Sequence, residues 1–131
     1  MIVIDASALV ELLLGTNRAE SIAARALAPD ERLHAPHLLD VEITQALRRL
    51  VQLKQITPSR AQQALDDYAA FVIERAAHLD LLPRIWQLRD SVTAYDGAYV
   101  ALAEALDAPL LTCDIKLGRS HGHHAKIEVV A

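Results

Sequence analysis

Apolar positions along the chain form two kinds of pattern, short unbroken runs and longer stretches at helical spacing, and the two kinds alternate. Met1 to Ile4 is a β-branched run ending at Asp5, as expected of a buried strand that feeds a turn. The Leu- and Ala-rich stretch Ser7 to Leu14 predicts a helix, stopped by Gly15 in a left-handed conformation. Asn17 is placed to cap a second helix to about Leu27, broken at Pro29-Asp30, and Leu33 to Ala35 reads as a short strand. Pro36 opens a long helical pattern to about Gln52, with Leu39, Ile43, Ala46, Leu47 and Leu50 on one face. Thr57-Pro58 supplies a cap and a first-turn proline for the next helix, and Ala61, Leu65, Tyr68 and Val72 continue its apolar face.

Ile73 to Leu79 carries no clear pattern, whereas about Leu81 to Arg89 reads as a helix that Pro83 helps to start. Thr93-Ala-Tyr-Asp96 begins a strongly apolar helix through Leu106, and Leu110 to Cys113, ending at Asp114, repeats the opening pattern of run then acid. A short helix near Ile115 to Arg119, a His-Gly-His-His loop and a strand Ile127 to Val130 follow. Short buried strands alternating with helices imply an α/β fold whose central, mostly parallel sheet is covered on both faces, because parallel strands need crossover connections. Sites in such sheets gather beyond the carboxyl ends of strands, where Asp5 and Asp114 both stand.

Composition narrows the picture. With 131 residues, 53% apolar and 23% charged, the chain fills one core, read as a single domain over residues 1–131, and is neither disordered nor collagen-like. The longest apolar runs, Tyr68 to Ile73 and Ala98 to Ala103, fall far short of the about 20 residues of a membrane span, and no basic leader precedes the first run. One cysteine, Cys113, excludes an internal disulfide framework, so the expected setting is the cytoplasm, without a membrane. The net charge of −4 means that a nucleic acid would have to be gripped by a local basic face or through metal ions.

Four acids then demand an account: Asp5 after the first strand, Glu42 inside an apolar helical stripe, Asp96 in the first turn of a buried helix, and Asp114 after another strand. Singly, each has an ordinary reading. Asp5 and Asp114 suit helix caps, Asp96 suits the third position of a capping box begun by Thr93, and Glu42 suits a buried ion pair with an arginine such as Arg49. Together they describe converging carboxylates without interleaved bases, which repel unless divalent cations neutralise them. An oxygen-only ligand set selects the hard ions Mg²⁺ or Mn²⁺ and suits phosphoryl chemistry, with metal-activated water as the nucleophile.

These acids also carry a resemblance. Asp5 in Val-Ile-Asp-Ala-Ser, Glu42 in Pro-His-Leu-Leu-Asp-Val-Glu-Ile, Asp96 in Thr-Ala-Tyr-Asp-Gly-Ala-Tyr-Val-Ala-Leu-Ala-Glu and Asp114 in Pro-Leu-Leu-Thr-Cys-Asp-Ile-Lys-Leu resemble the PIN-domain family, nearly end to end and in the same order. Within it the chain is most similar to VapC-type toxins of bacterial toxin–antitoxin pairs. The resemblance implies a PIN-like three-layer sandwich and a Mg²⁺-dependent endoribonuclease, with Mn²⁺ as a substitute, leaving 5′-phosphate and 3′-hydroxyl ends. It also implies inhibition by a VapB-type antitoxin, a homodimer, and a heterotetramer or larger complex with the antitoxin. Carried over by position, Asp5, Glu42, Asp96 and Asp114 are the acidic quartet, with Asp5 and Asp96 the first choice as metal ligands, and Ser7 and Thr112 are the flanking hydroxyls. Gly97 stands where this pattern often has Ala.

The remaining features have plainer readings. Lys116 and Arg119 are candidates for phosphate contact, while Arg48, Arg49 and Lys54 are either a solvated face or part of a basic footprint for RNA. His121, His123 and His124 lack the fixed spacing of zinc motifs and read as a surface loop. Cys113 reads as a strand core residue, and Trp86 and Tyr68 as packing residues. Two rival functions stay open: a phosphoacceptor signalling domain, although Asp5 is followed by Ala6 rather than a second acid, and a non-catalytic module whose acids grip a basic partner.

Overall fold

Strand β1 (Ile2–Ile4) is buried along its whole length, which requires a partner on each edge and a helix layer on each face. The computed structural model, which describes residues 1–131, supplies all of these. β1 pairs in parallel with β2 (Leu33–Pro36) on one edge and with β4 (Leu110–Thr112) on the other. β3 (Ile73–Ala76) lies beyond β2 and β5 (Ile127–Val129) beyond β4, so the five-stranded sheet runs β3-β2-β1-β4-β5 and every pair in it is parallel.

Seven helices make the crossovers: α1 (Ala6–Leu14), α2 (Ala19–Ala26), α3 (Leu38–Gln52), α4 (Pro58–Ala70), α5 (Leu82–Gln87), α6 (Ala94–Leu106) and α7 (Ile115–Gly118). The chain steps outward from β1 to β3 on one side, then returns to build β4 and β5 on the other. Right-handed crossovers therefore place α1 to α4 on one face and α5 to α7 on the opposite one. The packing agrees, for α1 contacts α2, α3 and α4, whereas α6 contacts α5 and strands β1, β2 and β4. This is the expected α/β sandwich. Helix α6 is buried continuously from Gly97 to Ala103, which explains an apolar run with no polar face. No helix is long and apolar enough to cross a membrane.

Several expectations need correction. Ile73 to Ala76, without a clear pattern in sequence, is edge strand β3, where the exposed Glu74 and the half-buried Arg75, bonded to Asp40 of α3, hide the strand signal. Helix α4 stops at Ala70, and Val72, read as part of its apolar face, is 87% exposed. Pro36 closes β2 instead of opening α3; its fixed φ suits an extended strand end, and the helix begins at Leu38. Asn17 caps nothing, because α2 starts after Arg18 without a side-chain cap. Leu81 to Arg89 divides into a 3-10 turn, Leu79–Leu81, and the short α5, leaving Trp86 exposed with the Arg89 guanidinium over its ring at 4.7 Å. Cys113 lies past the end of β4 and is only half-buried.

Two polar clusters fasten the outer elements. Asp40 on α3 accepts from Tyr68 of α4 and, at 2.8 Å, from Arg75 Nε of β3. Glu104 of α6, nearly buried, accepts from Arg84 Nε and Nη2 at 2.8 and 2.9 Å and from the His124 N–H at 3.0 Å. It thereby holds α5 and the histidine loop onto α6. The Arg84 hydrogen bonds hold the Glu104 carboxyl down to about 2, against an ordinary 4.5. A depressed acid stabilises the fold fully above the ordinary value and loses that contribution as pH falls through the folded one. Glu104→Gln should therefore lower the unfolding free energy by about 2 kcal/mol at neutral pH. It should also weaken the pH dependence of stability between about 4.5 and 2. Urea melts across that range test both effects, and parental stability at neutral pH would show that the cluster contributes nothing.

Candidate active site

The strand order brings the acids together. The chain leaves the carboxyl ends of β1 and β4 in opposite directions, opening a crevice between them. Asp5 follows β1, and Asp114 lies two residues beyond the end of β4. Helices α3 and α6 start their return at this same end of the sheet, so Glu42, in the second turn of α3, and Asp96, in the first turn of α6, reach the crevice from either face.

Asp5, 6% exposed, is the most constrained of the four. Its Oδ1 accepts from the Ser7 hydroxyl at 2.7 Å and the Ala8 N–H at 3.1 Å, and its Oδ2 accepts from the Thr112 hydroxyl. Those hydroxyls lie 3.2 Å apart, and each is held in turn: Ser7 Oγ accepts from the Cys113 N–H at 2.9 Å, Thr112 Oγ1 from the Asp114 N–H at 3.0 Å. Burial pushes the Asp5 carboxyl above its ordinary range, although the hydrogen bonds oppose it, and the charge of Glu42 adds to the rise.

Glu42 does not pair with Arg49. Its Oε1 accepts from the Tyr99 hydroxyl at 2.6 Å, while partial burial and the charge of Asp96 raise its pKa. Asp96 is raised by burial first and then by the charges of Asp114 and Asp5. Asp114 Oδ1 accepts from the Lys116 N–H at 2.9 Å and so caps α7, as Asp5 caps α1. The Asp96 N–H is bonded to Thr93 Oγ1 at 3.1 Å, which is one half of the expected capping box. Capping and convergence are thus the same placement seen from two sides: a strand end or first turn is where a cap belongs and where this sheet has its crevice.

Tyr99 was missed as a site residue. Its signal was present, since a residue three after Asp96 on a helix lies on the same face. Gly97, the departure from the resembled pattern, has a packing reason: a methyl group there would meet Ile85 Cγ2 at 3.3 Å, so glycine lets α5 close on α6. From the acids a groove of about 800 Å³ runs between α1 and α3, past Glu42, Asp114 and Tyr95 to Arg18 and Arg49. Arg18 is paired with Glu11 at 3.1 Å, whereas Arg49 has no ion pair. Lys116 and Arg119 are exposed and do not line this groove. Cys113 does, with its thiol pushed up to about 11 by burial and by the charges of Glu11 and Asp5, so it stays protonated at neutral pH.

No three His, Cys, Asp or Glu side chains form a ready-made metal cage, in the histidine loop or among the four acids. The carboxylates nevertheless fit a hard divalent cation, which is held through one or two carboxylates, several waters and substrate phosphate. Three of the acids are raised by burial and like charge, and none of the four has a cationic partner.

The geometry is that of an acid-lined α/β site at a topological switch point, and comparison with known proteins places it. Residues 2–120 match the PIN domain. Ribonuclease VapC12 of Mycobacterium tuberculosis is 43% identical over 131 residues, covering 100% of both chains. The crystal structure of PAE2754 from Pyrobaculum aerophilum superposes with a TM-score of 0.71 at 26% identity, over 98% of this chain and 83% of that one. A chain of VapBC2 from Rickettsia felis, crystallised bound to a DNA fragment from their promoter, matches in fold with a TM-score of 0.72 at 16% identity over 100% of both. The chain belongs to the PIN-domain family and, within it, to the VapC ribonuclease branch.

Two expectations follow. Millimolar Mg²⁺ should raise the melting temperature of the parent by several degrees and leave Asp96→Asn nearly unmoved, with the metal-free variant at least as stable as the parent because a repelling charge is gone. Because Asp5, Glu42 and Asp96 bind protons more tightly than free carboxylates, metal-free stability falls as pH rises through the ordinary values and up to the raised ones. The gain from Mg²⁺ runs the other way, growing as pH rises over the same interval. Scanning calorimetry with and without Mg²⁺ reads both signs, and equal gains for parent and Asp96→Asn would count against cation binding at these acids.

Proposed function

We propose that the chain is the toxin of a VapBC-type pair, acting in the cytoplasm as a single domain over residues 1–131 and as a divalent-metal-dependent endoribonuclease. The observation that carries this reading is the gathering of Asp5, Glu42, Asp96 and Asp114 at one crevice without any cationic partner. Asp96 and Asp5 would hold Mg²⁺ or Mn²⁺, with Glu42 and Asp114 completing the negative field. When bound, the ion supplies charge neutralisation for the phosphodiester and a lowered pKa for the attacking water.

The side chains of the protein have separate tasks in this scheme. Ser7 from the start of α1 and Thr112 from the end of β4 fix the rotamer of Asp5, so the carboxylate does not swing away from the crevice. Tyr99 fixes Glu42, which leaves Glu42 Oε2 without a protein donor and available for a water or a metal's hydration shell. Arg49 gives a polyanion an approach charge that the acids do not provide. Lys116 and Arg119, which follow Asp114 within α7 and at its C-terminal end, would serve phosphates on the far side of the cut. A VapB-type antitoxin would inhibit by filling the groove beside α3, whose lining is about half apolar, and a homodimer and larger antitoxin complexes complete the assembly.

The test is cleavage of total cellular RNA by antitoxin-free protein, with Mg²⁺, with chelator, and with the variants Asp96→Asn and Tyr99→Phe. Discrete cuts with 5′-phosphate ends are expected, lost with chelator and reduced at least a hundredfold in Asp96→Asn. Tyr99→Phe should retain the fold and lose about tenfold in rate, the scale of one positioning hydrogen bond. Metal-independent cuts, or cuts undiminished in Asp96→Asn, would move the activity away from these acids; metal binding without any cuts would favour the binding-module reading.

A further inference from the structure

The chain has one Trp, three Tyr and one Phe. Four of these rings are engaged. Tyr68 and Tyr99 are buried and bonded to Asp40 and Glu42, Phe71 packs against the core, and Trp86 lies outside the groove under the Arg89 guanidinium. The fifth, Tyr95, is 63% exposed and lines the groove together with Ser7, Glu42 and Asp114. It is the second residue of α6 and immediately precedes Asp96, in a turn fixed by the Thr93 cap. A rigid helix start therefore presents a bare aromatic face beside the acids.

Resting on the ribonuclease reading above, we propose that Tyr95 is the stacking platform for an unpaired base next to the cleaved phosphate, and so a specificity-determining residue that confines cutting to single-stranded RNA. A base inside a duplex has both faces covered by its neighbours, whereas an unpaired base has a face free for a ring. The acids and their cation can recognise only the phosphodiester, which every RNA shares. Tyr95 adds the one contact in the groove that depends on a base being unstacked. Arg49, exposed and unpaired further along the groove, suits a neighbouring phosphate and leaves the ring to the base.

The experiment uses a short single-stranded oligonucleotide carrying the cleavage site mapped in total RNA, and the same oligonucleotide with an abasic residue on either side of the cut. Tyr95→Ala should raise KM by roughly fivefold to a hundredfold with kcat little changed, the scale of one lost base–aromatic stack. Tyr95→Phe and Tyr95→Trp should cleave like the parent. One of the two abasic positions should impose the same loss on the parent and no further loss on Tyr95→Ala. Parental KM in Tyr95→Ala, a Phe variant as impaired as Ala, or abasic and Ala losses that multiply independently would each overturn the proposal while leaving the nuclease intact. Should Tyr95→Ala fail to fold, the abasic arm on the parent decides, since a base-independent KM excludes stacking. A parent that cuts no RNA at all removes the ribonuclease reading itself, and this proposal with it.

Discussion

Burying the Asp5 carboxylate is the constraint on which the rest of this structure turns. A charge taken out of water costs several kcal/mol unless hydrogen bonds replace the lost solvation, and three donors converge on Asp5 to do so. One comes from the residue two positions on, one from the backbone of α1, and one from Thr112 at the end of β4. Satisfying this carboxylate therefore fixes the start of α1, the pairing of β1 with β4 and the position of Asp114, whose N–H bonds to the same Thr112 hydroxyl. Removing the Thr112 hydroxyl would leave Asp5 Oδ2 without its donor and the central strand pair without its clasp.

Helix α6 carries the constraint to the second face. Its buried run from Gly97 to Ala103 is pinned by β1, β2, β4 and α5, so the first turn cannot shift relative to the sheet. Asp96 and Tyr95 are projected from that turn, and Tyr99 extends one turn deeper to hold Glu42 of α3. Functional side chains placed at the ends of rigid elements keep their geometry better than those on loops. The same arrangement brings like charges together, and the carboxyl groups of Asp5, Glu42 and Asp96 are raised first by burial and then by one another's charge and that of Asp114.

Most of the frame was legible in the sequence because the signals were local. Gly15 at φ 63° ends α1, Thr57-Pro58 starts α4, and the β-branched and Leu runs before Asp5 and Asp114 mark β1 and β4. What escaped depended on partners distant in sequence. Edge strand β3 shows a buried Ile73 and then polar residues, and only its pairing with β2 makes it a strand. Trp86 was expected inside because large rings usually are, yet α5 is too short to present two faces and its buried positions go to Ile85 and Leu88 nearby. The acids were identifiable as a set because capping positions recur at strand ends. Of their fasteners, Ser7 and Thr112 came with the resemblance, whereas for Tyr99 the sequence marks a face shared with Asp96 but not the partner, since the Tyr99–Glu42 bond spans two helices on opposite faces of the sheet.

The charge balance gives this layout its logic. On the ribonuclease reading, a chain of net charge −4 that concentrates acids in one crevice would repel its polyanionic substrate at the site of cleavage. The groove reverses this over a short distance: Arg49 stands unpaired on α3 within the same groove that begins at Glu42, with Arg18 facing it from the other wall. Arg18 is partly neutralised by Glu11, whose charge also helps to raise the Cys113 thiol, so Arg49 is the less neutralised of the two arginines lining the groove. On that reading, a strand of nucleic acid entering from the arginine end would meet attraction first and the acids last. Attraction at a distance followed by local repulsion would then make productive binding conditional on something that neutralises the acids, because none of the four has a cationic partner within the protein.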